Sequence, residues 1–137
     1  MIKNIVKDIE FLKIIGTDLT KDEMYVVKDL IDTLKFHLNG CVGMAANMIG
    51  YSKNAIVFVD DKGNIIPMIN PKILKASDPY QTEEGCLSLE GKRSCIRHKK
   101  IKVQYLDELF RVKIKTYTDF TAEIIEHEID HLNGIII

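Results

Sequence analysis

Two histidines four residues apart in "IIEHEIDHLNG", residues 124–134, constrain this chain more than any other feature. Side chains at i and i+4 lie on one face of a helix, one turn apart. Ile125, Ile129 and Leu132 form an apolar stripe in the same stretch, so the helix has a side to bury. Thr118 or Asp119 can cap its start, and Asn133-Gly134 is a suitable stop. A solvated helix face would also explain the charge, since Glu123, Glu126, Glu128 and Asp130 crowd the segment. The HExxH spacing on a helix with a buried stripe favours a metal site instead: two imidazoles for one ion, and Glu128 to take a proton from water.

A second helix is predicted near the N-terminus, over residues 19–40. Thr20 and Glu23 have the spacing of a capping box, Val27, Leu30, Ile31, Leu34 and Leu38 recur at helical spacing, and Asn39-Gly40 ends the run. Between the helices, "NAIVFVD" and "IIPMIN" are short strands joined by "DKGN", with Pro71 limiting the second. "KIKVQYL" and "FRVKIKTY" alternate apolar and polar residues and form a hairpin turning at Asp107-Glu108. The order helix, mostly antiparallel strands, helix defines an α+β fold. With 137 residues, and neither repeat nor linker, residues 1–137 are expected to be one domain.

Composition removes several classes of function. A net charge of −1 gives no basic excess for nucleic acid or membrane. Three cysteines, Cys41, Cys86 and Cys95, are too few and too dispersed for a disulfide scaffold. The first 16 residues are interrupted by charges and lack an apolar run long enough for a signal or membrane segment. A cytoplasmic protein is expected.

A catalytic site of this type takes three protein ligands and leaves one position for water. The third ligand can be a cysteine, a histidine or an acid. "TEEGCLSLE", residues 82–90, supplies the best candidate in Cys86, with Gly85 allowing close backbone approach; alone, Cys86 would read as a small core residue. "GCVGMAANMIG", residues 40–50, has three glycines and two alanines. Such a segment is either a tight backbone crossing or a cleft wall along which a substrate main chain can lie.

The three stretches together, in this order, resemble the peptide deformylase family. Its pattern is GxGxAAxQxG, EGCLS and QHExDH, against "CVGMAANMIG", "EGCLS" and "EHEIDH" here. The resemblance covers nearly the whole chain. It implies an α+β deformylase fold with strands around the C-terminal HExxH helix, and one divalent ion held by Cys86, His127 and His131. Ferrous iron is the expected cellular ion, with zinc, nickel or cobalt as substitutes. The implied reaction removes the formyl group from the N-terminal formylmethionine of new proteins, at the ribosome. Glu128 would move the proton and the Leu87 backbone N–H would hold the oxyanion. The Gly43 region would take the peptide as an added strand, and Phe120 and Ile124 would line an apolar pocket for the methionine side chain. Gly85 belongs to the same substrate-binding surface.

The chain departs from the pattern in particular places. Met48 stands at the glutamine whose amide helps hold the oxyanion, and a thioether donates no hydrogen bond. Cys41 replaces the first glycine of its motif, so the backbone there must avoid positive φ. Glu126 replaces the glutamine before HExDH and adds charge near the site, and Glu90 stands where a proline is usual. The chain runs three residues past Gly134, so a catalytic core without the family's usual C-terminal extension is expected. Three functions follow: a working deformylase, a related hydrolase with weak or altered activity because of Met48, or a non-catalytic metal- or peptide-binding protein. Intact Glu128 argues against the third, and a plain HExxH protease would leave "EGCLS" without a role.

Overall fold

A single antiparallel meander carries the fold. In the computed structural model, which describes residues 1–137, the strands are β1 (Gly43–Ala45), β2 (Ala55–Val59), β3 (Ile65–Cys86), β4 (Leu89–Leu106) and β5 (Val112–Thr118). They form one sheet in chain order, each strand antiparallel to the next. The helices are α1 (Ile9–Leu12), α2 (Met24–Phe36) and α3 (Asp119–Leu132). The α+β expectation with a C-terminal HExxH helix holds.

Helix α2 buries Val27, Leu30 and Leu34 of the predicted stripe, with Val26 beside them and Ile31 half-buried, and is preceded by a 3-10 turn over Lys21–Glu23. Glu23 Oε1 accepts from the Thr20 N–H at 3.0 Å, as the capping-box spacing requires. The helix stops at Phe36, short of Asn39-Gly40, and Leu38 is exposed. Helix α3 packs Ala122, Ile125, Ile129 and Leu132 into a core shared with Met44, Phe58, Met68, Ile101 and Val103. Its boundary falls as expected: Asn133 caps it and Gly134 follows at φ +74°.

The expectation that Pro71 ends the second strand is wrong. β3 runs on to Cys86 because the proline falls in a register shift between Ile69 and Lys72, where its missing N–H costs no ladder bond. Asn70, at φ +50°, turns its side chain to Leu19 instead, accepting from the Leu19 N–H at 2.7 Å and donating to its carbonyl at 3.1 Å. The long β3–β4 ribbon that results closes through a two-residue turn, Leu87 and Ser88, so the cysteine motif sits at its tip. There Gly85 alone faces residues 90–92 of β4. A Cβ on Gly85 would lie 3.1 Å from the Gly91 carbonyl oxygen, and Gly91 itself takes φ +78°. The predicted hairpin of residues 100–117 is present as β4–β5, with a five-residue connection, 107–111, rather than a tight turn.

The chain before α2 closes the base of α3. Gly16 N–H donates to the Leu132 carbonyl at 2.9 Å, and a Cβ on Gly134 would meet the Lys13 carbonyl oxygen at 2.3 Å. Gly134→Ala is therefore expected to lower stability by about 1–3 kcal/mol, from steric conflict plus positive φ. Urea unfolding of both proteins measures it, and an unchanged midpoint would mean that the α1 segment does not dock there.

Candidate metal centre

Helix α3 turns one face into a cleft of about 670 Å³. Phe120, Glu123, Ile124, His127 and Glu128 line it from the helix, at the i, i+3, i+4, i+7, i+8 spacing of a single helical face. The segment 40–43 and Met48 form a second wall, and residues 83–87 with Leu89, Gly91 and Lys92 form the third. The low side-chain cover of residues 40–50 thus marks a cleft wall, and also a close crossing. A Cβ on Gly43 would lie 2.8 Å from Ile124 Cγ2 and 2.9 Å from Glu128 Oε2. Gly43 makes room for the Glu128 carboxylate.

Cys86, at the end of β3, meets the two histidines of α3. One ligand atom from each of Cys86, His127 and His131 lies within 4.8 Å of the others. The Nε2 atoms of His127 and His131 are 3.0 Å apart. His127 Nδ1 is 2.7 Å from Glu84 Oε1. A carboxylate in that position fixes the proton on Nδ1 and turns the Nε2 lone pair toward the cysteine, the arrangement that histidine ligands of metals use. One thiol and two imidazoles, buried or half-buried together, are a donor set suited to a divalent transition ion.

Glu84 does not act alone. Arg97 of β4 donates to both its oxygens, from Nε at 3.1 Å and from a terminal nitrogen at 2.8 Å. Its other terminal nitrogen donates to Asp130 Oδ2 at 2.6 Å. Arg97 is 3% exposed. Burial works against the charge of Glu84, but the hydrogen bonds from His127 and Arg97 outweigh it and hold the carboxyl well below the usual range. One residue further along β4, His98 donates its N–H to Glu126 Oε1 at 2.7 Å, with its ring nitrogen 2.9 Å from Oε2. The added charge of Glu126 is directed at β4 and held there by His98.

Glu128 is 5% exposed and its Oε1 has no hydrogen-bond partner. Burial pushes its carboxyl up to about 7. Met48 is buried, and its sulfur lies 3.4 Å from the Ala45 N–H, which donates to it. Beside it, the buried Asn47 side chain donates to the His131 carbonyl at 2.8 Å and so ties this segment to the end of α3. Cys41 adopts no positive φ, and its thiol donates to the Gly43 carbonyl at 2.9 Å. Leu87, Gly85, Phe120 and Ile124 all border the cleft. Cys86, His127 and His131 therefore converge, with Gly43, Met48, Gly85, Leu87, Phe120, Ile124 and Glu128 around the same cleft, whereas Glu126 faces β4 and Glu90 does not border the cleft. Glu84, Arg97, Asn47 and Glu123 were missed. Only Glu84 carried a signal, lying two residues before Cys86 inside the motif.

A Cys-His-His donor set, its histidines buried and its cysteine half-buried, with a neighbouring carboxylate defines the site of a metal-dependent hydrolase. The family model for polypeptide deformylase matches residues 2–137, and the chain belongs to that family of metal-dependent enzymes, which remove the N-formyl group from new proteins. It is 55% identical to a peptide deformylase of Clostridium beijerinckii over the full length of both. A class I type b peptide deformylase from Acinetobacter baumannii, solved with Met-Ala-Ser bound, has a TM-score of 0.86 at 28% identity, covering 99% of this chain and 96% of that one. Peptide deformylase from Thermotoga maritima has a TM-score of 0.87 at 29% identity, covering 99% and 95%.

The Glu84 contact generates a test. Glu84→Ala should lower zinc affinity by roughly 10–100-fold, because His127 loses the carboxylate that orients it. Competition with a chromophoric chelator reads this, and wild-type affinity in the variant would show that His127 is oriented by another group.

Proposed function

We propose that the chain carries out the deformylase reaction with Cys86, His127 and His131 as ligands of one ion and Glu128 as general base and acid. The convergence of those three donors beside a buried, unpartnered carboxylate carries this reading. A divalent ion bound there supplies Lewis acidity and lowers the pKa of water toward neutrality. Glu128 accepts the water proton and delivers it to the departing amine nitrogen. Its burial suits both halves of that task, since a carboxyl near neutrality can take a proton and give it up. The Leu87 N–H, beside Cys86 at the ribbon tip, is the donor for the oxyanion that develops on the formyl carbonyl.

The substrate lies along the Gly43 segment as an added strand. Its first side chain enters the space bordered by Phe120 and Ile124, and Gly85 keeps the opposite wall low. The ion in the cell is ferrous iron, with zinc, nickel or cobalt able to take its place. The substrates are formylated N-termini of chains at the ribosome, met in the cytoplasm. Residues 1–137 act as one catalytic domain. No helix is long and apolar enough to cross a membrane.

Met48 sets the level of activity. Its sulfur already accepts from Ala45 and offers nothing to an oxyanion. Glu128→Ala should keep the metal, read by elemental analysis, while formate release from a formyl-Met peptide is lost; normal turnover would assign the proton transfers elsewhere. Met48→Gln restores an amide donor and should raise turnover, by up to about 10²–10³ if the amide reaches the oxyanion. Formate release at equal metal content decides it, and an unchanged rate would mean that another donor has taken over the position.

A further inference from the structure

The sheet has a second face that neither the core nor the cleft uses. On β4, Ile101, Val103 and Tyr105 point into the core, so Lys100, Lys102 and Gln104, which alternate with them, point to the opposite side. Strand register extends that side across three strands. Lys75 of β3 is directly opposite Lys102, Lys72 is opposite Gln104, and Ser77 is opposite Lys100. On β5, Thr118, Thr116 and Ile114 are opposite Lys100, Lys102 and Gln104. Lys72, Lys75, Lys100 and Lys102 are exposed, and none of the four forms an ion pair. The segments 72–77, 99–106 and 112–118 contain no acid. A net charge of −1 averages over the surface and conceals this separation of charge.

Two ordinary explanations fall short. Lysines protect edge strands from pairing, but Lys100 and Lys102 are on a part of β4 that is paired on both sides. A solvated sheet surface mixes signs, whereas like charges directly opposite one another, as Lys75 and Lys102 are, cost stability. None of the paired positions on this face is aromatic, so it offers phosphates their counter-charge and unpaired bases nothing to stack on. Ser77, Gln104, Thr116 and Thr118 stand between the lysines as hydrogen-bonding groups of the kind that meet phosphate and ribose hydroxyls. The face is about 10 Å wide across its three strands. A surface that broad does not enter the grooves of B-form DNA, which admit a helix or a two-stranded ribbon, but it can lie across the wide, shallow minor groove of an RNA duplex. We propose that the outer face of β3–β5 binds double-stranded RNA through its phosphate and ribose backbone, without choice of sequence. None of these residues borders the cleft, so RNA bound here leaves the cleft open.

Fluorescence anisotropy of a labelled, mixed-sequence RNA hairpin of about 20 base pairs, titrated with zinc-loaded protein, tests this. Wild type should bind the hairpin and lose roughly a hundredfold in affinity between about 50 and 200 mM salt, as four phosphate contacts require. A variant carrying Lys72→Gln, Lys75→Gln, Lys100→Gln and Lys102→Gln should bind about tenfold more weakly or worse at the lower salt, and its slope of log affinity against log salt should fall by about one per lysine removed. A control that loses the same charge elsewhere, through Lys7→Gln, Lys13→Gln, Lys28→Gln and Lys35→Gln, should stay within about twofold of wild type. Thermal unfolding checks that both are folded; if the face variant is not, the pair Lys75→Gln and Lys102→Gln decides, with a slope lower by about two. An equal fall in face variant and control overturns the proposal, because net charge alone would then explain binding. No binding by wild type at the lower salt overturns it too. So does equal or tighter binding to a DNA duplex of the same sequence, or to vesicles of equal parts phosphatidylglycerol and phosphatidylcholine. RNA binding is read without turnover, so failure of the assigned reaction would show separately, as absent formate release.

Discussion

The Arg97 guanidinium joins the two halves of the site. Cys86 is at the tip of a β3–β4 ribbon whose flanks are largely exposed, while both histidines are on α3. Packing alone leaves the tip poorly fixed against the helix. Arg97 removes that freedom by binding Glu84, two residues before the cysteine, and Asp130, one residue before the second histidine. Glu84 then reaches His127, so one run of hydrogen bonds touches both elements that carry the proposed ligands. A buried ion pair is weak evidence for stability, since apolar side chains of equal volume often serve as well. What the Asp130–Arg97–Glu84 set provides is direction. It fixes a distance and a ring orientation that apolar contacts would leave loose. His98 and Glu126, next in register on β4 and α3, form a second clamp between the same elements.

Around that frame the cleft is shaped by what is missing. Gly43 has no side chain, and the space goes to the Glu128 carboxylate. Burial then raises the affinity of Glu128 for a proton, which an exposed carboxylate on the same helix would not show. Met48 is accommodated without disruption, because a thioether fills the volume and accepts the single N–H that points at it. The substitution is thus quiet for the fold and consequential only for a ligand that needs a donor.

Much of this was legible in the sequence where the signal was local. The α3 boundaries, the HExxH face and the apolar stripe of α2 all follow from spacing within one helix. Cys86 was reached by combining one motif with another. The β3–β4 ribbon was not legible. Residues 72–83 are mostly exposed and alternate no apolar face, and Pro71 suggests a stop that a register shift makes harmless. Arg97 belongs to that unreadable stretch and acts on partners 13 and 33 residues away, so no local pattern marks it. Glu123 was read only as one of several helix acids. Its place at the cleft depends on which face of α3 turns inward, a tertiary fact.

The proposed reaction requires the ribbon tip and α3 to hold one ion together, through one sulfur and two imidazole nitrogens. X-ray absorption at the zinc edge of the zinc-loaded protein tests it directly. The expected first shell has one sulfur at about 2.3 Å and two imidazole nitrogens at about 2.0–2.1 Å, with one oxygen scatterer completing it. A first shell without sulfur, or with the sulfur retained in Cys86→Ala, would contradict it.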